Sequence, residues 1–264
     1  MAGKSFFRFF SRLLKTNISQ VYSLKLNFWI ESMSMLASDL IMFATWIVLF
    51  HQFKEINGWG FRHVILMQAI SMCAYSLYSF CFRGLADTLA GYIERGELDN
   101  FILQPRNILI NVACSRSSPF ALGDFMSGII FFGWSGMVSF HNILVTILSV
   151  LLGFLIFVSV AIFIGSLAFY IRDVEGWGIQ IMIIFLNMST QPGSIYTGGV
   201  RIFLMFLFPA GMLTFLPVEM INNASWPSIL IPIGIAVSFF LGSIWFFYHG
   251  LRRYESGNSF GVRD

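Results

Sequence analysis

The chain has 264 residues, of which 57% are hydrophobic and 11% are charged, against a charged fraction of about 25% in soluble domains. No water-soluble fold of this length can hide that much apolar surface, 31 phenylalanines included, so lipid must be the solvent for much of it. A net charge of +3 is too small for a nucleic-acid binder, and the length suits one transmembrane domain over 1–264 with no second soluble domain.

Residues 3–18 read as an amphipathic interfacial helix, the alternative being the frayed cytoplasmic start of the first span. Arg8, Arg12 and Lys15 share one face while Phe6, Phe7, Phe9, Phe10, Leu13 and Leu14 fill the rest, the pattern of a helix lying among anionic headgroups. No uninterrupted apolar core with a small-residue cleavage site follows, so this is not a cleavable signal. The first span runs from Asn27 to Phe50 and the second from Phe61 to Phe82, joined by the polar loop His51–Gly60. A polar segment, Arg83–Pro119, leads to a third span over Phe120–Phe140 and a fourth over Ile143–Ile171. The short turn His141–Asn142 makes these two an antiparallel hairpin.

After the charged loop Arg172–Gly176 the pattern breaks. Gly178–Met188 is apolar but shorter than the roughly 20 residues a crossing helix needs. Pro192 and three glycines follow in Ser189–Gly199. The run Val200–Leu216 is then interrupted by Pro209 and closed by Pro217. One ordinary helix cannot contain this. The reading is a kinked fifth span with a re-entrant hairpin over 189–217, which makes Pro192, Pro209, Pro217 and Glu219 candidate pathway residues, because non-helical backbone at membrane depth must sit against protein or water. The alternative is two ordinary crossings, with the C-terminus outside. The last span, Ser228–Tyr248, runs into Gly250, Arg252 and Arg253.

With the N-terminus in the cytoplasm, the inner segments hold 13 lysines and arginines and the outer segments hold three (Lys54, Arg62, Arg201). That bias predicts both ends inside and an even number of spans, six in all. The fold class expected is therefore an all-α integral membrane protein of six transmembrane helices. The three cysteines and four histidines show no metal-ligand or catalytic spacing, and Gly3-Lys4-Ser5 lacks the rest of a phosphate loop. Any ATP hydrolysis belongs to another chain.

The informative segment is Arg83–Pro119. Leu85, Leu89 and Tyr92 fall at helical spacing. Then comes Glu94-Arg95-Gly96-Glu97-Leu98-Asp99, followed by Phe101-Ile102-Leu103-Gln104-Pro105-Arg106. A short charged amphipathic element with a glycine break and a proline stop suits either a soluble partner or the headgroup layer.

The order of elements, the segment "ERGELDNFILQPRN", the stretch "FPAGMLTFLPVEM" and the tail "GLRRYESGN" resemble the permease subunits of the type-2 ABC exporter family, in its six-span bacterial branch. The resemblance covers nearly the whole chain. It implies two permease subunits, alike or different, in the plasma membrane, each bound to a cytoplasmic ATPase that holds ATP and Mg, with no cofactor in this chain. It implies that Glu94, Arg95, Glu97, Leu98, Asp99, Pro105 and Arg106 form the ATPase-coupling element, and that Pro209 and Pro217 bound the re-entrant hairpin. It also implies an exporter working by alternating access, whose substrate the sequence does not name beyond a hydrophobic or amphipathic class.

Within the apolar stretches, Glu31, Asp39 and Asp124 are costly at mid-bilayer, by about 2.5–3.5 kcal/mol each on insertion scales. Glu31 and Asp39 stand about 80° apart on a helix, close enough to share an inward side, as a polar pathway wall or as hydrogen-bonding partners of neighbouring helices. Gly234, Ser238 and Gly242 recur every four residues, a stripe that admits close helix approach within or between subunits. Two other functions compete with the permease reading. An ion-coupled carrier could use Glu31 and Asp39, but the two similar halves common in carriers are not visible. A membrane-embedded lipid enzyme would need a constellation of acid–base groups, and only scattered carboxylates appear.

Overall fold

The computed structural model describes residues 25–56, 58–192, 198–199, 209, 211–222 and 226–254. The interfacial helix expected over 3–18, and most of the stretch from 193 to 210, lie outside the described residues.

The described residues are helical, apart from turns and a single isolated bridge between Ile56 and Trp59. Helix α1 spans Lys25–Gln52 and α2 spans Phe61–Phe82. Four short helices follow: α3 (Gly84–Asp87), α4 (Leu89–Glu94), α5 (Asp99–Ile102) and α6 (Ile108–Ala113). Then come α7 (Leu122–Trp134), α8 (Phe140–Ser166), α9 (Trp177–Ser189), α10 (Gly211–Asn222) and α11 (Trp226–Leu251). Among the described residues, four helices are long and apolar enough to cross a membrane: Trp29–Gln52, Phe61–Phe82, Phe140–Phe169 and Trp226–Leu251. Pro119–Trp134 and Trp177–Ser189 are apolar but shorter. At 1.5 Å per residue, a 16-residue helix reaches about 24 Å, less than the roughly 30 Å hydrocarbon layer.

Helix α2 is the axis of the bundle. Its apolar window is 78% buried, against 6% for α1. Helices α7 and α8 flank it on different sides, and α1 rests on α7. This corrects the expected hairpin. The third and fourth spans are consecutive, yet they do not pack along each other, because α2 lies between them. The turn is also displaced. Gly136 takes φ +66°, and the Ser139 hydroxyl accepts the Asn142 N–H at 3.2 Å. That cap starts α8 at Phe140, so His141 and Asn142 lie in its first turn.

Glycines set how closely the helices approach. A Cβ on Gly123 would come within 2.9 Å of the Ser32 carbonyl, and one on Gly165 within 2.6 Å of the Leu85 carbonyl. At both sites the nearest atom is a backbone carbonyl, which cannot swing aside as a side chain can.

Helix α9 leaves the end of the bundle where α2 and α8 finish and stops partway across. The Ser71 hydroxyl, midway along α2, donates to the Ser189 carbonyl at 2.9 Å. The expectation of a broken fifth segment therefore holds for α9: there is no continuous helix from Trp177 onward past Ser189. Pro192 and Pro209 are buried. Pro217, expected as a boundary, instead lies inside α10. It is buried against α8 near Ser149 and Gly153, and Pro232 of α11 reaches the same spot. A proline there removes one i→i−4 bond and leaves the Leu213 carbonyl without its helical donor.

Candidate functional site

Segment 83–119 is the chemically distinctive part of the chain, and it folds as one piece with the bundle. Its neck is closed. The Gly84 N–H donates to the Arg116 carbonyl at 3.2 Å and the Ser118 N–H to the Ser79 carbonyl at 3.0 Å. Arg83 at the end of α2 holds Asp87 through Nε at 2.7 Å and the Ser118 hydroxyl through Nη1 at 3.0 Å. Helix α3 is wedged between α8 and α9: Gly165 meets the Leu85 backbone, and a Cβ on Gly178 would overlap the Ala86 carbonyl.

Leu85 and Leu89 are buried in the main core, and Tyr92 packs on Phe101 with ring centroids 4.9 Å apart. At the end of α4, Gly96 takes φ +71°, and the Leu98 N–H returns to the Tyr92 carbonyl at 3.0 Å. This reversal turns Leu98 inward, where it is fully buried. The expectation that Leu98 belongs to a docking surface is thus corrected: it anchors the loop.

The charged residues also have internal partners. The Val174 N–H donates to the Glu94 carboxylate at 2.7 Å. Arg95 donates to Glu97 at 3.0 Å and also to Glu175. Those two carboxylates hold the guanidinium charged. Asp99 lies against Tyr254, whose phenol is pushed up to about 12 by burial first and by the Asp99 carboxylate second. Helix α6 is capped by Asn107, whose side chain accepts the Ile110 N–H at 3.3 Å and donates to the Tyr248 hydroxyl of α11 at 2.7 Å. What remains outward is the tip: Ile102, Leu103, Gln104, Pro105 and Arg106, with Leu103 84% exposed.

The partner residues Val174, Glu175 and Tyr248 and the wedging glycines Gly165 and Gly178 escape sequence reasoning. The run Asp173-Val174-Glu175-Gly176 showed only as a charged loop, and nothing in its spacing points to residues 80 positions away.

The intramembrane carboxylates separate. Glu31 is exposed and points away from the bundle, while Asp39 turns inward, so the shared inward side expected for them is not formed. Asp39 instead faces α7, near Ser127 and within electrostatic reach of Asp124. Asp124 is also within electrostatic reach of Arg83. The pairing of Asp39 with Asp124 crosses two helices, and sequence alone did not reveal it. Glu219 is exposed on α10. Gly234, Ser238 and Gly242 are exposed too, and a Cβ on either glycine would meet nothing among the described residues. The intrasubunit contact of α11 with α8 uses another face, which carries Ala236, Ser243, Phe247 and Gly250.

Among the described residues no cluster of histidine, cysteine and carboxylate side chains is arranged to hold a metal. A family model described as "ABC-2 family transporter protein" matches residues 34–258. No curated protein and no solved structure matches the chain.

Proposed function

The chain belongs to the ABC-2 transporter family as a membrane permease subunit, and on that premise we propose that it is the permease of an ATP-driven exporter in the plasma membrane. It pairs with a second permease subunit. It carries a hydrophobic or amphipathic substrate by alternating access, and ATP and Mg are bound by a separate ATPase seated on the tip of the loop between α2 and α7. The observation that carries this reading is the contrast within that loop. Its root is locked into the bundle by Leu98, Arg83 and the glycines of α8 and α9, while its tip presents Ile102 and Leu103 to the outside.

The mechanics follow from that contrast. Packed elements move as units rather than deforming smoothly. A push on Leu103 therefore reaches α2 through the Arg83 neck, α8 and α9 through α3, and α11 through Asn107 and Tyr248. An exposed leucine at a loop tip suits an apolar anchor for a protein partner.

The topology fits an exporter permease with both ends in the cytoplasm. Arg172 and Asp173, before α9, line one cleft with Arg253 and Tyr254, after α11. The chain thus returns to the same end of the bundle, which supports an odd number of crossings between Gly176 and Trp226 and disfavours two. The exposed stripe Gly234, Ser238 and Gly242 suits the contact with the second permease subunit.

A second reading, ion coupling, is favoured by one observation, the apposition of Asp39 and Asp124. Co-expression with a candidate ATPase separates the two. Recovery of a permease–ATPase complex whose hydrolysis drives substrate out of vesicles supports the exporter. A chain that purifies alone and transports on an ion gradient refutes it.

A further inference from the structure

The geometry points to a binding site for the headgroup of a zwitterionic phospholipid, in the cleft where α4, the end of α8 and the end of α11 meet. The cleft has a volume of about 430 Å³, within the range of small-molecule sites. Its charged lining is Glu94, Arg172, Asp173 and Arg253, and its aromatic walls are Phe169, Tyr170 and Tyr254.

Position selects a lipid. The cleft opens at the ends of two helices long and apolar enough to cross a membrane, Phe140–Phe169 and Trp226–Leu251. The chain ends of such helices lie at headgroup depth. At the rim, Ile171 is half exposed beside Arg172, an apolar surface along which an acyl chain can leave.

Charge selects the headgroup. The lining carries two arginines and two carboxylates, so it sums to zero formal charge. An anionic lipid would add a net negative charge to this balanced lining and set its phosphate against Glu94 and Asp173. A headgroup carrying both a phosphate and a primary ammonium meets both signs of charge in the lining, the phosphate on the arginine side and the ammonium on the carboxylate side. The Glu94 carboxylate already accepts the Val174 N–H and can accept more, since an ionised carboxylate has about four acceptor positions. The site is built rather than incidental. The Arg253 guanidinium stacks over the Tyr170 ring at 4.9 Å from its centroid, which fixes the cation in place. Asp173 holds a left-handed backbone at φ 60°, a conformation that Asp and Asn adopt more readily than other non-glycine residues.

This inference rests on membership of a membrane family and not on the exporter reading, so the failure of either leaves the other standing. The test is native mass spectrometry of the purified chain with phosphatidylethanolamine, with phosphatidylglycerol of the same acyl chains, and with glycerophosphoethanolamine. The unmodified protein should retain phosphatidylethanolamine in preference to both of the others. Arg253→Gln and Asp173→Asn should each weaken retention by about tenfold, the scale of one charged hydrogen bond, and Arg253→Lys should keep most of it. Asn tolerates the left-handed backbone, so Asp173→Asn tests charge without unfolding the turn. Equal retention of phosphatidylglycerol, with no effect of Asp173→Asn, would mean that only phosphate is read and would overturn the zwitterion. Binding of glycerophosphoethanolamine as tight as that of the lipid would overturn the lipid assignment. Lipid retention indifferent to all variants would mean an annular shell and no site.

Discussion

The Val174 N–H donates to the Glu94 carboxylate at 2.7 Å, joining two loops that are 80 residues apart in the chain. Val174 is buried and Glu94 is exposed beside the cleft, so the carboxylate is a charged acceptor reaching in to the Val174 N–H from the rim. Glu94→Ala should cost about 1.5–3 kcal/mol, the scale of a hydrogen bond to a charged group. Glu94→Gln keeps an acceptor oxygen and should cost much less. Thermal melting in detergent, followed by fluorescence-detected gel filtration, measures both. Equal melting of the two variants would show that the hydrogen bond does not hold the joint. For the same reason a double reversal at Glu94 and Glu97 is a poor probe of partner binding, since it also breaks the pairing of Glu97 with Arg95.

The wedge of α3 gives a second expectation. A methyl group at Gly178 would overlap the Ala86 carbonyl, and one at Gly165 would sit 2.6 Å from the Leu85 carbonyl. Overpacking of this kind costs about 1–3 kcal/mol. Gly165→Ala and Gly178→Ala should therefore each lower the melting temperature. Gly234→Ala, where a Cβ meets nothing among the described residues, should leave the isolated subunit unchanged. Loss of stability at Gly234 alone would contradict the packing described.

Much of the fold is legible in sequence because long apolar runs are hard to disguise. The second span is read to the residue at Phe61–Phe82, where a polar loop ends at Gly60 and an arginine follows Phe82. The broken segment after Gly176 is legible too, since length and proline content exclude one helix. Facing is not. The period of 3.6 says which residues share a side but not whether that side meets protein or lipid, and both are apolar here. Glu31 points outward, and Leu98 inward against the amphipathic pattern around it. Pro217 reads as a stop, yet tertiary packing against α8 keeps the helix going through it. Which helices are neighbours is equally hidden: the intrusion of α2 between α7 and α8 leaves no mark in the local sequence.

The phenol of Tyr254, pushed up to about 12, has a consequence at high pH. The unfolded phenol ionises near 10. The group's contribution is fully present below that pH, and it is lost as pH rises through 10 toward 12, because the folded state holds the proton longer than the unfolded one. Wild-type protein should therefore lose stability between pH 10 and 12 more steeply than Tyr254→Phe. Parallel melting curves for the two over that range would dismiss a buried phenol at this position.

Orientation can be read by labelling. Pro105 and Arg252 are exposed at the end of the bundle that holds the loop, and Lys54 is exposed at the other end. Asn107 is a bad position for a reporter cysteine, since its side chain caps α6 and holds Tyr248. With the loop in the cytoplasm, an impermeant thiol reagent applied to intact cells should label Lys54→Cys and leave Pro105→Cys and Arg252→Cys unlabelled until the cells are opened. Labelling of Pro105→Cys from outside would invert the topology.

The sharpest test of coupling sets Leu98 against Leu103. They are five residues apart and chemically identical, but the first is fully buried and the second is 84% exposed. Leu98→Ala removes a core side chain and should cost about 2–5 kcal/mol, so the subunit should melt early whether or not an ATPase is present. Leu103→Glu changes nothing inside the bundle, and the isolated subunit should melt like wild type. If the tip is the ATPase seat, that same variant should lose the partner in co-purification and lose ATP-driven transport in reconstituted membranes. A buried apolar anchor at an interface commonly costs 2 kcal/mol or more when replaced, or roughly thirtyfold in affinity. Leu103→Met should retain binding, because size and polarity are nearly kept. If Leu103→Glu binds the ATPase and transports as well as wild type, the tip rests on headgroups or in water, and force from the ATPase must enter elsewhere.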